Sequence, residues 1–366
     1  MSMYRNARTM IYKSALGAAL TAILYIASYD KLVTSNLCNL IIELNVASLT
    51  LKRCTLVNRT SGFAVGENGA ILEYNKGSWR FINPSTVSTL NGVSMVNSTF
   101  GFAVGSNGTI LRYDGVMWSK IVTPIQGHFY DVSVVHDKLG FAVGEGVLYQ
   151  FDGELWSFQR YIFPSVPHID MYDETFGIVV GGGVSYIYDG KKWYEIWIDP
   201  ENEIEMMDVC VINDSMAFSV GFDVCKGLGV VYKFNGYNWS FICGADGVLT
   251  SISMIEETKG FITGYESDGK GKIWKFNGLE CSNTAHPIVE CLWDVKIIDM
   301  ECGFAVGDNA TILKWDGDSW TREIIGEVSA GKNGEECTLT HIILVSISVI
   351  AVLFIMFRIK KEKKEK

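Results

Sequence analysis

Residues 101–118 read GFAVGSNGTILRYDGVMW, and this phrase recurs along the chain with small changes. It reads GFAVGENGAILEYNKGSW at 62–79 and GFAVGDNATILKWDGDSW at 303–320. Seven copies are spaced by 39, 39, 37, 40, 43 and 43 residues and start at Gly62, Gly101, Gly140, Gly177, Ala217, Gly260 and Gly303. Repeats of roughly 20–50 residues indicate a solenoid, a propeller or another array.

Each copy has the pattern of short strands separated by tight turns. In the copy at 101–118, the apolar run 102–104 precedes Asn107-Gly108, a dipeptide favoured in hairpin turns. An alternating run at 110–113 precedes Asp114-Gly115, Trp118 opens another run, and one more lies upstream at 93–96. Four-stranded antiparallel sheets repeated radially are the blades of a β-propeller. The sequence therefore predicts an all-β fold, a seven-bladed β-propeller over residues 51–326, and leaves the mode of ring closure open.

The consensus G-[FW]-A-V-G-x-x-G-x-I-L-x-x-[DN]-G-x-x-W resembles the repeats of the photosystem II stability/assembly-factor-like propellers. It is also similar to a shortened BNR/Asp-box repeat. Such propellers serve as assembly factors, sugar hydrolases and sorting receptors, so the resemblance implies the architecture and leaves the function open. The D-G-x-x-W sequence lacks one residue of the Asp-box and the serine before it, so no catalytic residue is carried over. The recurring tryptophan, replaced only by Cys281, is interpreted as core.

The two ends of the chain predict a membrane protein. Residues 1–28 place three basic residues before an apolar run, which is typical of a signal peptide or an N-terminal membrane anchor. A lead-in segment (29–50) precedes the propeller, and a juxtamembrane linker (327–338) follows it. Residues 339–357 (LTHIILVSISVIAVLFIMF) carry no formal charge and predict a C-terminal transmembrane helix, followed by the basic tail 358–366. By the positive-inside rule we expect a single-pass type I protein of the cell membrane, with an extracytoplasmic propeller and a cytoplasmic tail.

Charge, cysteines and sequons fit an exported domain. Residues 29–357 hold 22 basic and 39 acidic residues, a net charge of −17, which argues against nucleic acid as a partner. The chain has nine cysteines and no C-x-x-C motif, so disulfides are expected, with connectivity open. The glycosylation candidates are the six sequon asparagines, which turn chemistry also explains: Asn58, Asn97, Asn107, Asn213, Asn238 and Asn309.

Aligning the seven phrases brings polar residues to two positions of the first strand of each blade. These positions should lie near the axial channel, at its mouth on the connector face, which we define as the face that carries the connectors between blades and the turns between second and third strands. The residues predicted to bind a ligand there are Arg53, Asp131, His168, Asp170, Asp208, Asp294 and Lys296. The open alternative is that they are solvated or form inter-blade hydrogen bonds. No cofactor or metal site is predicted, although a cation at this mouth is an alternative.

Insertions on the connector face predict partner-binding loops, because insertions in repeat proteins often mark the binding face. The 222–229 and 265–271 hairpins of blades 5 and 6 are long, and the connector 198–205 leading into blade 5 is acidic. The candidate residues are Asp199, Glu201, Glu203, Glu205, Asp223, Lys226, Glu266 and Asp268.

The sequence carries no G-x-S-x-G, H-E-x-x-H or P-loop motif. We therefore expect a non-enzymatic binding or scaffold module that presents its connector face to a protein or glycan partner, in one version during assembly of a membrane or surface complex. The first alternative is a glycan-active hydrolase that uses carboxylates at the channel mouth. The second is a structural component of a cell envelope or virion.

Overall fold

The computed structural model of the protein describes residues 49–326, apart from the short gaps 83–85, 124–126, 164–165, 200, 202 and 288. The predicted N-terminal segment (1–28), nearly all of the lead-in, the linker (327–338), the transmembrane helix (339–357) and the basic tail lie outside the described residues. Within the described residues, no helix is long and apolar enough to cross a membrane.

The described chain forms seven four-stranded antiparallel sheets in which consecutive strands pair, as the repeat predicts. Blades 1 to 3 contain β1 (Leu51–Asn58), β2 (Ser61–Gly66), β3 (Ile71–Asn75) and β4 (Ser78–Ile82); β5 (Leu90–Asn97), β6 (Phe100–Gly105), β7 (Thr109–Tyr113) and β8 (Trp118–Lys120); and β9 (Phe129–His136), β10 (Leu139–Gly144), β11 (Val147–Phe151) and β12 (Trp156–Tyr161). Blades 4 and 5 contain β13 (His168–Met171), β14 (Gly177–Gly181), β15 (Val184–Tyr188) and β16 (Trp193–Trp197); and β17 (Ile204–Asn213), β18 (Met216–Asp223), β19 (Leu228–Phe234) and β20 (Trp239–Ala245). Blades 6 and 7 contain β21 (Val248–Glu256), β22 (Lys259–Tyr265), β23 (Gly271–Phe276) and β24 (Cys281–Asn283); and β25 (Leu292–Asp299), β26 (Cys302–Gly307), β27 (Ile312–Trp315) and β28 (Trp320–Arg322). A tight turn at Glu67–Gly69, in which Asn68 and Gly69 have φ of 54° and 73°, joins β2 to β3. A short strand, β29 (Ile325–Gly326), follows blade 7.

Two recurring dipeptides make two kinds of turn within a blade. Asn107 and Gly108 have φ of 57° and 62°, the left-handed values that a two-residue hairpin turn requires. Asp114 caps the turn before the fourth strand, where its carboxylate accepts hydrogen bonds from the backbone N–H groups of Val116 and Met117 at 2.9 and 2.8 Å. Equivalent Asp or Asn caps occur in blades 3 to 7. The recurring [DN]-G-x-x-W sequence is therefore a turn signal.

The first strands face one another around the ring axis. Each contacts the first strand of the next blade, and β1 contacts both β5 and β25. The ring therefore closes between blades 1 and 7. At the outer edge, β29 pairs in parallel with β4, with Ile325 opposite Trp79. Chain leaving blade 7 thus adds a fifth strand to blade 1, a closure that the repeat pattern does not predict.

Each blade boundary encloses one apolar cluster. The Trp118 ring of blade 2 packs edge-on against Phe63 of blade 1, with centroids 5.3 Å apart and planes at 89°. Four further Trp–Phe pairs repeat this arrangement, with centroid distances of 5.1 or 5.2 Å: Trp79 with Phe304, Trp156 with Phe102, Trp193 with Phe141, and Trp320 with Phe261. Such aromatic pairs stabilise a protein by about 0.5–1.5 kcal/mol each beyond the area they bury. The predicted core role of the recurring tryptophan is confirmed at these five positions.

Candidate functional site

The structure brings the seven predicted channel residues to the inner strands of the ring. Arg53 lies on β1, Asp131 on β9, Asp208 on β17, His168 and Asp170 on β13, and Asp294 and Lys296 on β25. In six blades a β-bulge immediately precedes the first of these polar positions. The bulge recurs although the side chains differ, so it belongs to the blade geometry.

Arg53 is buried at the centre of a charged cluster. Its Nη1 lies 2.8 Å from Asp294 Oδ1, and its Nη2 lies 3.1 Å from Asp208 Oδ1 and 3.4 Å from Asp131 Oδ2. The same Nη2 contacts His168 Nδ1. One guanidinium from blade 1 thus binds groups from blades 3, 4, 5 and 7. We call Arg53, Asp131, His168, Asp208 and Asp294 the axial cluster.

The three carboxylates of the axial cluster also bind the backbone of the next blade. Asp131 Oδ2 accepts a hydrogen bond from the N–H of Ile169 at 3.1 Å. The same bond recurs twice, from Ile252 N to Asp208 at 2.9 Å and from Cys54 N to Asp294 at 2.7 Å. Ser251 fills the equivalent position in blade 6 and accepts from Val295 N at 3.3 Å. These side chains therefore join neighbouring inner strands.

A second layer of the same kind lies two residues further along each strand. Five side chains each accept a hydrogen bond from a backbone N–H of the next blade, at 2.8–3.4 Å: Ser94, Ser133, Asp170, Cys210 and Ser253. Lys296 takes this position in blade 7 and is solvent-accessible. Among the described residues it has no hydrogen bond or ion pair, although Asp170 is its strongest electrostatic neighbour.

Burial and oppositely charged neighbours shift the pKa values of these inner-strand residues in opposite directions. Burial by itself lowers the pKa of Arg53, but the three carboxylates raise it well above its usual value. Burial would raise the pKa of Asp131, yet Arg53 and His168 lower it. Burial raises the pKa of Asp294 although Arg53 lowers it, and neighbouring Asp208, which opposes a second negative charge, adds to the rise. Burial also raises the pKa of Asp170 to about 6, against the attraction of Lys296.

Asp131, His168 and Asp208 offer ligand atoms within 4.8 Å of one another, a grouping that can hold a metal ion. All three, however, contact the same nitrogen, Arg53 Nη2. A cation bound by these groups would take the position of that nitrogen. The guanidinium already supplies the positive charge that the three groups would attract.

The predicted loops on the connector face are shorter than the sequence indicates. Phe222 pairs with Gly229 and Tyr265 with Gly271, so the insertions of blades 5 and 6 mainly lengthen strands. The prediction that the acidic connector runs to 205 is also wrong, because β17 begins at Ile204 and Glu205 pairs with Phe222. The extended register satisfies backbone groups that a longer loop would leave unpaired.

Several of the predicted partner-binding residues have structural contacts. Asp223 is buried and binds Lys226, whose Nζ lies 2.7 Å from its Oδ2. Asp199 accepts hydrogen bonds from the N–H groups of Glu201 and Glu203 at 3.2 and 2.8 Å. In blade 6, Asp268 binds Lys270, and Glu266 lies 3.1 Å from Lys272. By contrast, Glu201, Glu203 and Glu205 are exposed.

Exposed apolar side chains lie on the elements before and after these acids, and the sequence pattern does not single them out. Phe163 and Trp197, at the connector-face ends of blades 3 and 4, are 66% and 42% exposed, with ring centroids 5.9 Å apart. Val224, at the tip of the blade 5 hairpin, is 59% exposed and donates its N–H to the carbonyl of Glu203 at 3.0 Å. We call Phe163, Trp197, Glu203, Glu205 and Val224 the acidic–apolar patch.

The six sequon asparagines all lie at turns or strand ends. Asn58 Oδ1 accepts hydrogen bonds from both the N–H and the hydroxyl of Thr60, each at 2.8 Å. Asn97 and Asn213 bind Thr99 and Ser215 in the same way. Asp173 does so with Thr175 in blade 4, outside any sequon. Asn107 and Asn309 adopt positive φ, and Asn238 lies in a capped turn. Turn geometry accounts for these residues, and glycosylation stays a prediction.

No protein-family model matches the sequence, and no curated protein matches it. Solved structures similar to this fold include YCF48 bound to a D1 peptide (TM-score 0.58, 15% identity, 73% of this chain and 92% of that chain). They also include the WD40 β-propeller domain of Doa1 (0.57, 10%, 72% and 92%) and the GH74 xyloglucanase from Xanthomonas campestris (0.63, 10%, 76% and 55%). At these identities the likeness concerns the fold alone. It confirms, for the fold, the predicted resemblance to photosystem II assembly-factor-like propellers.

Proposed function

We propose that the protein is a non-enzymatic binding module whose acidic–apolar patch receives a protein segment rich in basic and apolar residues. Apolar side chains exposed together next to charged groups are typical of protein interfaces. Phe163 and Trp197 supply aromatic anchors, while Glu203 and Glu205 supply negative charge that complements a basic segment. The net charge of −17 over residues 29–357 favours the same partner.

The single observation that carries this proposal is the continuity of the patch. The Phe163–Trp197 contact joins blades 3 and 4. In the connector that follows blade 4, the carboxylate of Asp199 accepts a hydrogen bond from the N–H of Glu203. The hydrogen bond from Val224 to Glu203 then fixes the blade 5 hairpin to that connector. One ring contact and two hydrogen bonds thus link the described residues of the patch across three blades, and such links reduce the ordering entropy that opposes binding.

The comparisons support a protein partner in general terms. YCF48 was solved with a bound D1 peptide, and the WD40 domain of Doa1 shares this architecture. The likeness to the GH74 xyloglucanase supports the hydrolase alternative only weakly. A glycosidase needs two carboxyl groups that face the scissile bond. Asp131, Asp208 and Asp294 instead share Arg53 and bind backbone N–H groups, which favours a binding module.

We further propose that residues 339–357 anchor the propeller outside the cytoplasm as a type I membrane protein. The uncharged segment and the basic tail support this topology. Protease treatment of intact cells should remove the propeller and leave a tag at residue 366 protected. Protection of the propeller instead would overturn the topology without affecting the proposed patch.

Photo-crosslinking tests the patch directly. A photoreactive residue is placed at Val224, or at Leu155 as a control, which is 69% exposed in the turn before β12 on the opposite face. The full-length chain should form an adduct from Val224 and not from Leu155, and mass spectrometry should identify a basic segment. Glu203→Gln with Glu205→Gln, or high salt, should reduce the adduct several-fold. Equal adducts at both sites, or an acidic captured segment, would contradict the proposal.

A further inference from the structure

Blade 6 lacks the recurring tryptophan, and the cysteine in its place contacts a second cysteine. Cys281 stands where the other six blades have tryptophan at the start of the fourth strand. Its Sγ lies 3.3 Å from Sγ of Cys243, which lies on the fourth strand of blade 5. The strands β20 and β24 contact each other across the blade boundary. The two thiols therefore meet at the start of the fourth strand of blade 6, where the other blades place a tryptophan ring.

The two thiols differ in reactivity, and both are within reach of solvent. Each cysteine is half-buried. A hydrogen bond from the Cys281 thiol lowers the pKa of Cys243, while the same bond, with burial, raises the pKa of Cys281. The thiolate is the nucleophile in disulfide chemistry, so Cys243 is suited to react first. No other two described cysteines are in contact.

We propose that Cys243 and Cys281 form a reversible disulfide between blades 5 and 6 by exchange with a small-molecule disulfide such as oxidised glutathione. The Cys243 thiolate attacks one sulfur of the external disulfide, forms a mixed disulfide and releases one thiolate. Cys281, after losing its proton, attacks the Cys243 sulfur and releases the second thiolate. Two cysteine thiols become one disulfide, the external disulfide becomes two thiols, and these thiols receive the two protons.

The link would act on the stability of the ring at this boundary. The two residues are 38 apart in sequence, so the disulfide would close a loop in the unfolded chain and reduce its conformational entropy. It would also join two outer strands that no hydrogen-bonded pairing connects in the described sheets. The oxidised protein should therefore melt several degrees above the reduced protein, whether or not the acidic–apolar patch binds a partner.

The test uses the full-length chain in detergent, incubated with oxidised or reduced glutathione, alkylated and digested. The oxidised sample should yield a linked peptide containing Cys243 and Cys281 and a higher melting temperature that dithiothreitol reverses. Cys243→Ser or Cys281→Ser should abolish the shift, whereas Cys225→Ser, which changes an exposed cysteine of blade 5, should retain it. Alkylation of both cysteines after oxidation, or a mixed disulfide that stays on Cys243, would overturn the proposal. Peptide mapping of the unmodified chain decides the question even if a variant fails to fold.

Discussion

Replacing Arg53 by methionine removes the charge at the centre of the axial cluster while keeping a long apolar side chain. Three buried carboxylates lose their shared partner, at contacts of 2.8, 3.1 and 3.4 Å. Removing one partner of a buried ion pair destabilises a protein by about 3–5 kcal/mol. We expect Arg53→Met to lower the free energy of unfolding by about that amount. At about 2–4 °C per kcal/mol, the melting temperature should fall by about 10 °C.

Urea and thermal unfolding measure this loss, with Arg59→Met as the matched control. Arg59 binds Asp299 and Glu301 at 2.7 and 3.0 Å, but its side chain is 55% exposed and solvent screens these pairs, so its removal should lower the free energy of unfolding far less. A loss for Arg53→Met as small as the control's would refute the structural role of the cluster.

The same variant should respond to pH in a definite direction. In the wild type, Arg53 holds the pKa of Asp131 below its usual value, so this carboxylate stabilises the fold above its unfolded pKa and loses that effect as pH falls through the folded pKa. Without Arg53, burial raises the pKa of the carboxylates and protonation relieves the penalty. The deficit of Arg53→Met should therefore be larger at pH 8 than at pH 5, and a constant deficit would contradict this reasoning.

Two further changes test the second layer and the turns. Asp170, with its pKa raised to about 6, stabilises the fold fully below its unfolded pKa of about 4, and this contribution is lost as pH rises through 6. The free energy of unfolding of Asp170→Asn minus that of the wild type, measured in urea, should thus increase as the pH rises from 4.5 to 7.5. A difference that does not change with pH would contradict the raised pKa of Asp170. Ala310 adopts φ of 49° at the turn position where blade 1 has Gly69 at φ 73°. Ala310→Gly should raise the free energy of unfolding by about 1 kcal/mol in calorimetry. Gly69→Ala should lower it by about 2 kcal/mol or more, because the added Cβ would lie 2.0 Å from the carbonyl oxygen of Thr86; opposite signs would refute the strain argument.

The blades were predictable because each repeat contains its own turns and its own core residues. Asn107-Gly108 and Asp114-Gly115 specify local geometry that needs no distant partner. The Trp–Phe pairs follow from equivalent positions of neighbouring repeats. Closure through β29 was not predictable, since Ile325 pairs with Trp79 only after the ring forms.

The axial residues were found by alignment, but their contacts were not. Arg53 and Asp131 are two blades apart, and they meet only because the closed ring brings the inner strands of all blades around one axis. The choice between a ligand site and inter-blade bonds therefore needed the geometry. The acidic–apolar patch was half predicted: the acids stand out by composition, whereas the exposure of Trp197 depends on where β16 ends. Cys281 was visible as an exception in its column, but Cys243 lies outside the repeated phrase.

A non-enzymatic binding module requires that Arg53 occupies the space between the axial carboxylates, which a hydrolase would need for its substrate. An experimental structure of the full-length protein, at a resolution that orients side chains, tests this directly. It should show seven blades, with the guanidinium of Arg53 bound between Asp131, Asp208 and Asp294. A metal ion or ligand among those carboxylates, with Arg53 turned away, would contradict it.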